Sequence, residues 1–310
     1  MQSDLNTLKS LPCFTSIVEM SLLAEGMSHS CFKVTTPEQV LLAKKLNQET
    51  AITEVFSALA CSKKGLSPKV VYHDNDWLVT VFIVGTSLAQ SGLKSPKKIS
   101  TALRLMAKLH RLELSQDNQS FPTLDTAKSI NHLLTNLVSF NKHERLNLIS
   151  LTKTLTNDIN AQIALCDTSS VICHGDLNFT NILIESTITN KDGINHRQKP
   201  WLIDFECTHL APVEFDLAMF VAVNNFTHQQ LSEIVTSYSK LAPNYRVNYK
   251  LLTCYILYSY FINGLWYLDN VNHSKADADF RTLAIEQWST FDSYAVKQSI
   301  ALPKLLPIVK

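Results

Sequence analysis

Two short passages of the chain hold residues whose types and spacing suit phosphoryl chemistry. The first reads His174-Gly175-Asp176-Leu177-Asn178-Phe179-Thr180-Asn181, with an aspartate and an asparagine spaced by five. The second, Leu202-Ile203-Asp204-Phe205-Glu206, sets another aspartate directly after an apolar, β-type run. A magnesium ion takes hard oxygen ligands, one or two carboxylates together with the phosphates of a bound nucleotide. Phosphoryl transfer also needs a carboxylate that orients the attacking hydroxyl and accepts its proton. The plainer reading is that Asp176 and Asn181 cap a turn while Asp204 ends a strand. Two motifs in the expected order, each flanked by a strand, weigh against it.

Such groups need rigid elements behind them. Cys31–Val34 and Val40–Leu46 are β-leaning runs joined by the turn-like Thr35-Thr36-Pro37-Glu38. A helix is expected over Thr50–Ser62, where Ile52, Val55, Phe56, Leu59 and Ala60 recur at helical spacing. Lys69–His73 and Trp77–Val84 then read as strands around the turn Asp74-Asn75-Asp76. From Pro96 the pattern becomes helical, with one apolar face at Ile99, Ala102, Leu103, Met106, Leu109 and His110 and further helices at 128–140 and 144–165. Strand-like runs return at Ser170–Cys173 and Pro200–Ile203; the polar stretch 186–199 between them reads as a solvated loop. Beyond Pro212 the chain is again mostly helical, with aromatic-rich segments at 254–268 and 280–295.

Composition narrows the classes. The chain has 310 residues, 45% of them hydrophobic and 18% charged, with Lys+Arg 28 against Asp+Glu 27 and a net charge of +1. That balance fits a globular protein and excludes a disordered or collagen-like chain. It argues against broad electrostatic binding to nucleic acid or to an anionic membrane. The 7 cysteines are scattered without a C-x-x-C pair, which points to buried thiols in a reducing compartment and away from disulfides or zinc. No basic segment followed by an apolar run opens the sequence, and Tyr255–Leu268 is short and polar for a bilayer span. A cytoplasmic protein, monomer or homodimer, is the expectation.

The two motifs resemble H-R-D-x-x-x-x-N and D-F-G of protein kinases, as H-G-D-x-x-x-x-N and I-D-F-E. In that form the chain resembles the aminoglycoside phosphotransferase and choline kinase superfamily. The likeness extends to Glu54–Leu59 followed by Gly65–Val70, to the connector Phe82-Ile83-Val84-Gly85-Thr86-Ser87-Leu88, and to Leu109-His110. Phe215-Asp216-Leu217-Ala218 and Asn263-Gly264-Leu265-Trp266 continue it, so that it covers most of residues 20–270. The resemblance implies an α+β, bilobed protein-kinase-like fold. A small N-terminal antiparallel-sheet lobe that binds nucleotide (1–85) would precede a larger, mostly helical C-terminal lobe for catalysis and substrate binding (86–310).

It also implies roles. Asp176 would be the catalytic base, and Asn181 and Asp204 would hold the magnesium. His174 would brace the loop, and Glu206 would touch metal or substrate or pair with a base. Asp216 reads as structural. The phosphate-binding lysine is expected at Lys45, because Leu42-Ala43-Lys44-Lys45 fits V-A-I-K and alternation puts Ala43 and Lys45 on one strand face. Lys44 takes its place if the strand register differs by one. Glu54 on the next helix would partner the lysine, and Phe82 and Ile83 would lie in the connector beside the nucleotide. The family's glycine loop is replaced by Glu25-Gly26-Met27-Ser28-His29-Ser30, where backbone N–H groups from Ser28 to Ser30 would approach the nucleotide.

For the acceptor, Tyr260, Trp266, Tyr267 and Trp288 supply aromatic faces, and Asp269, Glu286 and Asp292 supply negative charge. An aromatic face beside a carboxylate suits an organic cation. Trp266 is the leading candidate for substrate contact. The reading is an ATP- and Mg2+-dependent kinase acting on the hydroxyl of a small cationic alcohol of the choline, ethanolamine or thiamine type. Alternatives are an aminoglycoside or sugar kinase, with an acidic open cleft instead of an aromatic cage, and a nucleotide-binding module without transfer. A protein kinase is disfavoured, since Leu210-Ala211-Pro212-Val213-Glu214 only loosely resembles A-P-E.

Overall fold

The computed structural model describes residues 2–23, 30–113, 121–137, 140–166, 169–186, 199–271 and 279–306. Ser28, and all of the stretch 186–199 except its two ends, lie outside the described residues.

In chain order the elements are α1 (Gln2–Lys9), β1 (Glu19–Leu22), β2 (Cys31–Thr35), β3 (Val40–Lys45), α2 (Ala51–Lys63), β4 (Val70–His73), β5 (Trp77–Val81) and β6 (Gly85–Ser87). Then come α3 (Ser95–Leu109), α4 (Thr126–Asn136), α5 (Lys142–Leu165), β7 (Val171–Cys173), β8 (Ile182–Glu185), β9 (Pro200–Leu202) and β10 (His209–Ala211). The chain closes with α6 (Val213–Val223), α7 (His228–Leu241), α8 (Tyr249–Asn270) and α9 (Phe280–Lys297). The sequence reading finds most of these. It misses α1, β1, β6, β8 and β10, which are short and have weak periodicity of their own. The antiparallel sheet near the N-terminus and the mostly helical later part make the fold α+β and protein-kinase-like.

Two compact units divide the chain. One comprises Met1–Pro122 with Ile172–His209, the other Thr123–Val171 with Leu210–Lys310. The first is built on an antiparallel sheet of order β1-β2-β3-β5-β4, with a smaller antiparallel sheet β6-β8-β9. Local chemistry sets its turns. Thr36 Oγ1 accepts from the backbone N–H groups of Glu38 and Gln39 between β2 and β3, and Asp74 Oδ1 accepts from those of Asp76 and Trp77 between β4 and β5. One face of the large sheet packs Phe32, Val34, Leu41, Ala43, Trp77 and Val79 against Leu8 of α1 and Leu11 just beyond it. Since side chains alternate along a strand, burying Leu41 and Ala43 on that face turns Leu42 and Lys44 of β3 to the other.

In the second unit α8 is central and packs on α4, α5, α6 and α9. Reciprocal capping boxes start α5 (Asn141 with Glu144) and α7 (Thr227 with Gln230). Helix α8 has the length and apolarity of a membrane span, more than its tyrosines and asparagine suggest. Yet 61% of its apolar window is buried inside the protein, as in a core helix. Trp288 of α9 is fully buried, donates from Nε1 to the Phe261 carbonyl at 3.2 Å and stacks on Phe261 and Phe140. Glycine at 264 is what admits it, because a Cβ there would sit on the indole ring.

Candidate active site

The first unit gathers the charged residues of both motifs. Lys44, near the end of β3, places Nζ 2.5 Å from Glu54 Oε1 of α2 and 2.5 Å from Asp204 Oδ1 beyond β9. Burial by itself would lower the Lys44 pKa, but Glu54, Asp204 and Glu206 more than offset it, and the ammonium is held charged. Glu54 is only 1% exposed; burial raises its pKa, with Lys44 opposing.

The expected strand face holds, but the expected lysine is corrected. Lys45, not Lys44, shares the face of Leu41 and Ala43, so its side chain runs over the Trp77 ring and reaches Asp76 at 3.4 Å. The pairing expected between Lys45 and Glu54 is made by Lys44. V-A-I-K spacing misleads here because two lysines stand in succession, and the choice falls to which β3 face buries its apolar residues.

The loop from Gly175 to Asn181 is over-determined. Gly175 takes φ +78°, and a Cβ on it would overlap the Cys207 carbonyl. His174 is fully buried, with Nε2 3.0 Å from the Ile203 carbonyl oxygen and its ring 5.2 Å from Phe205. Asn178 accepts from the Thr180 N–H and caps the 3-10 turn Phe179–Asn181. Asn181 Nδ2 then donates to the backbone carbonyl of Asp176 at 3.0 Å and to Asp176 Oδ2 at 2.9 Å. Ile203 donates its N–H to the Asn181 carbonyl at 3.1 Å, tying the two motifs together. Desolvation raises the Asp176 pKa; His174 and the Asn181 hydrogen bond oppose this, and the charges of Asp204 and Glu206 add to it.

Asp204 has φ +65°, a left-handed conformation uncommon outside glycine. A residue in such a conformation at the junction of Lys44, Asn181 and β9 is a geometry kept by its surroundings. Carboxylate oxygens of Glu54, Asp204 and Glu206 lie within 4.8 Å of one another, and Glu54 Oε2 is buried with no hydrogen-bond partner. With Glu54 engaged by Lys44, the hard oxygens of Asp204 and Glu206 are the ones that fit a divalent cation such as Mg2+. Beside it, between β3, β5 and α2, lies an apolar recess lined by Leu42, Ala58, Leu78, Thr80 and Phe205.

The other expected residues are distributed as follows. Phe82 follows β5, hydrogen bonds through its N–H to Val40 and carries Lys33 Nζ 5.3 Å from its ring centre; Ile83 is half-buried beside it. Trp266 belongs to the second unit, half-exposed against Phe280 and Tyr267. Trp288 and Tyr260 are buried in that unit's core. Cys207 escaped the sequence reading as a site residue. It is exposed, within reach of the charges of Asp176, Glu206 and Asp204. Its position directly after Asp-Phe-Glu was the available signal.

A lysine clamped between a helix glutamate and a left-handed aspartate, next to a second aspartate held by its own asparagine, defines a protein-kinase-like phosphotransferase site. The profile of the choline/ethanolamine kinase family matches residues 20–287, and the chain belongs to that family of small-molecule kinases. Among solved structures it is similar to a choline/ethanolamine kinase family protein from Mesorhizobium loti (17% identity, 95% of each chain covered, TM-score 0.66). It is also similar to an ethanolamine kinase from Plasmodium vivax (17% identity, 91% of this chain and 84% of the other, TM-score 0.67). The choline kinase LicA from Streptococcus pneumoniae is a third (14% identity, 96% and 100%, TM-score 0.68). A search of curated proteins finds no match.

Proposed function

We propose that the chain transfers the γ-phosphoryl group of ATP, with Mg2+, to the hydroxyl of a small cationic alcohol of the choline, ethanolamine or thiamine type. The observation that carries this reading is the Lys44–Glu54–Asp204 arrangement beside Asp176 and Asn181. Asp176 orients the acceptor hydroxyl and takes its proton. Its pKa, raised chiefly by burial, makes it a better proton acceptor than an ordinary aspartate. Asn181 fixes the Asp176 carboxylate by hydrogen bonding. Lys44, steered by Glu54, presents its charge to the nucleotide phosphates. Asp204 and Glu206, with the Asn181 amide oxygen, would hold the magnesium. When bound, that ion neutralises charge on the transferred phosphoryl group. LicA has been crystallised with AMP, which supports a nucleotide as donor. For the acceptor, half-exposed Trp266 offers an aromatic face to an organic cation.

The test is magnesium-dependent ADP release from ATP against choline, ethanolamine, thiamine and an aminoglycoside panel, with Asp176→Asn as control. Acceptor-dependent release with one of the three cationic alcohols, lost in the control, is expected. Release with aminoglycosides alone would overturn the acceptor assignment.

A further inference from the structure

We propose that the second unit carries a binding site for a small organic anion with one apolar ring, an arylcarboxylate in chemical class. A cavity of about 160 Å³ opens among α6, α7, α8 and α9. Its floor is apolar and buried, formed by Val221, Phe226, Leu231, Tyr260 and Tyr294. A cavity of roughly 150 Å³ takes benzene, so the space suits a single ring.

Three features of the cavity select the sign of the ligand. The two ionisable side chains at its rim, His228 and Lys297, are basic, and no carboxylate lines it among the described residues. The first turn of α7, a helix of 14 residues, opens on it through Thr227 and His228. The capping box takes the Thr227 and Gln230 amides, which leaves those of His228 and Gln229 without an acceptor among the described residues and carrying positive partial charge. Independently, Tyr260 lines the cavity while only 3% exposed, and its hydroxyl has no hydrogen-bond partner among the described residues. Burial, and then Tyr294, push its pKa up to about 12, so the phenol stays protonated and is a donor. That hydroxyl opens on the cavity, and a carboxylate oxygen there would give it a charged acceptor. Residues that line the cavity all belong to the second unit, whereas Lys44, Glu54, Asp176 and Asp204 belong to the first.

The experiment is isothermal titration of the full chain with phenylacetate, benzyl alcohol, benzylamine and inorganic phosphate. It is repeated on Lys297→Gln, Tyr260→Phe and Thr290→Trp; Thr290 is an exposed rim residue, so its tryptophan fills the mouth without disturbing the core. Saturable phenylacetate binding is expected, with the alcohol and phosphate each weaker by about fivefold or more, the loss of one charge-assisted or apolar contact. Lys297→Gln should weaken phenylacetate by a similar factor and leave the alcohol unchanged. Tyr260→Phe should weaken phenylacetate, and Thr290→Trp should abolish its binding with an unchanged melting temperature. Absence of saturable phenylacetate binding at millimolar concentration would overturn the proposal. So would benzylamine binding as tightly to wild type and being lost in Thr290→Trp, or phenylacetate binding that persists in Thr290→Trp.

Discussion

In the unit that carries Asp176, charged side chains hold one another: Lys44 between Glu54 and Asp204, Asn181 on Asp176. In the other unit the conspicuous side chains are aromatic, and most are occupied in holding helices together, Trp288 on Phe261 and Phe140, Phe215 against Tyr255 and Tyr258. A buried polar residue is costly unless most of its polar atoms find partners, so its position reports its chemistry. An aromatic residue that is buried needs only volume, so its presence reports packing unless some of its face stays open. The reacting groups are therefore defined far more tightly than the groups that would choose an acceptor.

The sharpest way to break this contrast is at Asp176. Asp176→Asn should lower turnover by about 10³-fold, within the range for loss of a positioned general base. Its unfolding midpoint should not fall. Because the folded-state pKa of Asp176 is raised, ionisation costs stability as pH rises through that value, and a neutral asparagine escapes the cost. Chemical denaturation at pH 7 beside steady-state kinetics would check both halves.

Next come the two lysines. Lys44→Ala should cut kcat/KM by about 10²-fold, on the scale of a lost electrostatic clamp. It should also destabilise by about 2 kcal/mol, less than a fully buried pair would lose because Asp204 is 35% exposed. Lys45→Ala should cost at most about 1 kcal/mol, as its pair with Asp76 is largely exposed, and should leave turnover intact. Equal effects at the two positions would remove the register argument.

The aromatic pair separates packing from recognition. Trp288→Ala should destabilise by about 3–5 kcal/mol, the usual cost of emptying a buried aromatic site. Trp266→Ala should leave stability within about 1 kcal/mol and raise the acceptor's KM by roughly three- to tenfold, the scale of one cation–π contact.

The smallest effect concerns pH. The acid limb of kcat should lie above the 3.8 of an unperturbed aspartate, since burial and then nearby carboxylates raise Asp176. Glu206→Gln removes one of those charges, so the limb should move to lower pH, read from a pH–rate profile.

The His-Gly-Asp and Asp-Phe-Glu passages were legible because chemistry fixes both residue type and spacing there. So were β2, β3, α2 and the long helices, which have plain alternation or 3.6-residue periodicity. The lysine was not, since adjacent Lys44 and Lys45 satisfy the same pattern and only the packing of Leu41 and Ala43 on Leu8 decides between them. Helix α1 supplies that packing, yet its own residues, Gln2–Lys9, are mostly polar. Tyr260 and Trp288 could not be told from Trp266 without burial, because the three share one composition signal and differ only in what covers them.

Gly175 has a further consequence for how mutational data on this chain would read. Its φ of +78° and the Cys207 carbonyl against it leave room for a hydrogen and nothing larger. In a saturation library, position 175 would return a single amino acid and would rank beside Asp176 as intolerant. The exposed side chain of Cys207, whose main-chain carbonyl makes that contact, would tolerate many replacements. An intolerance map would thus mark a main-chain carbonyl as though it were a catalytic group, and only a binding assay on soluble variants would tell the two kinds of silence apart.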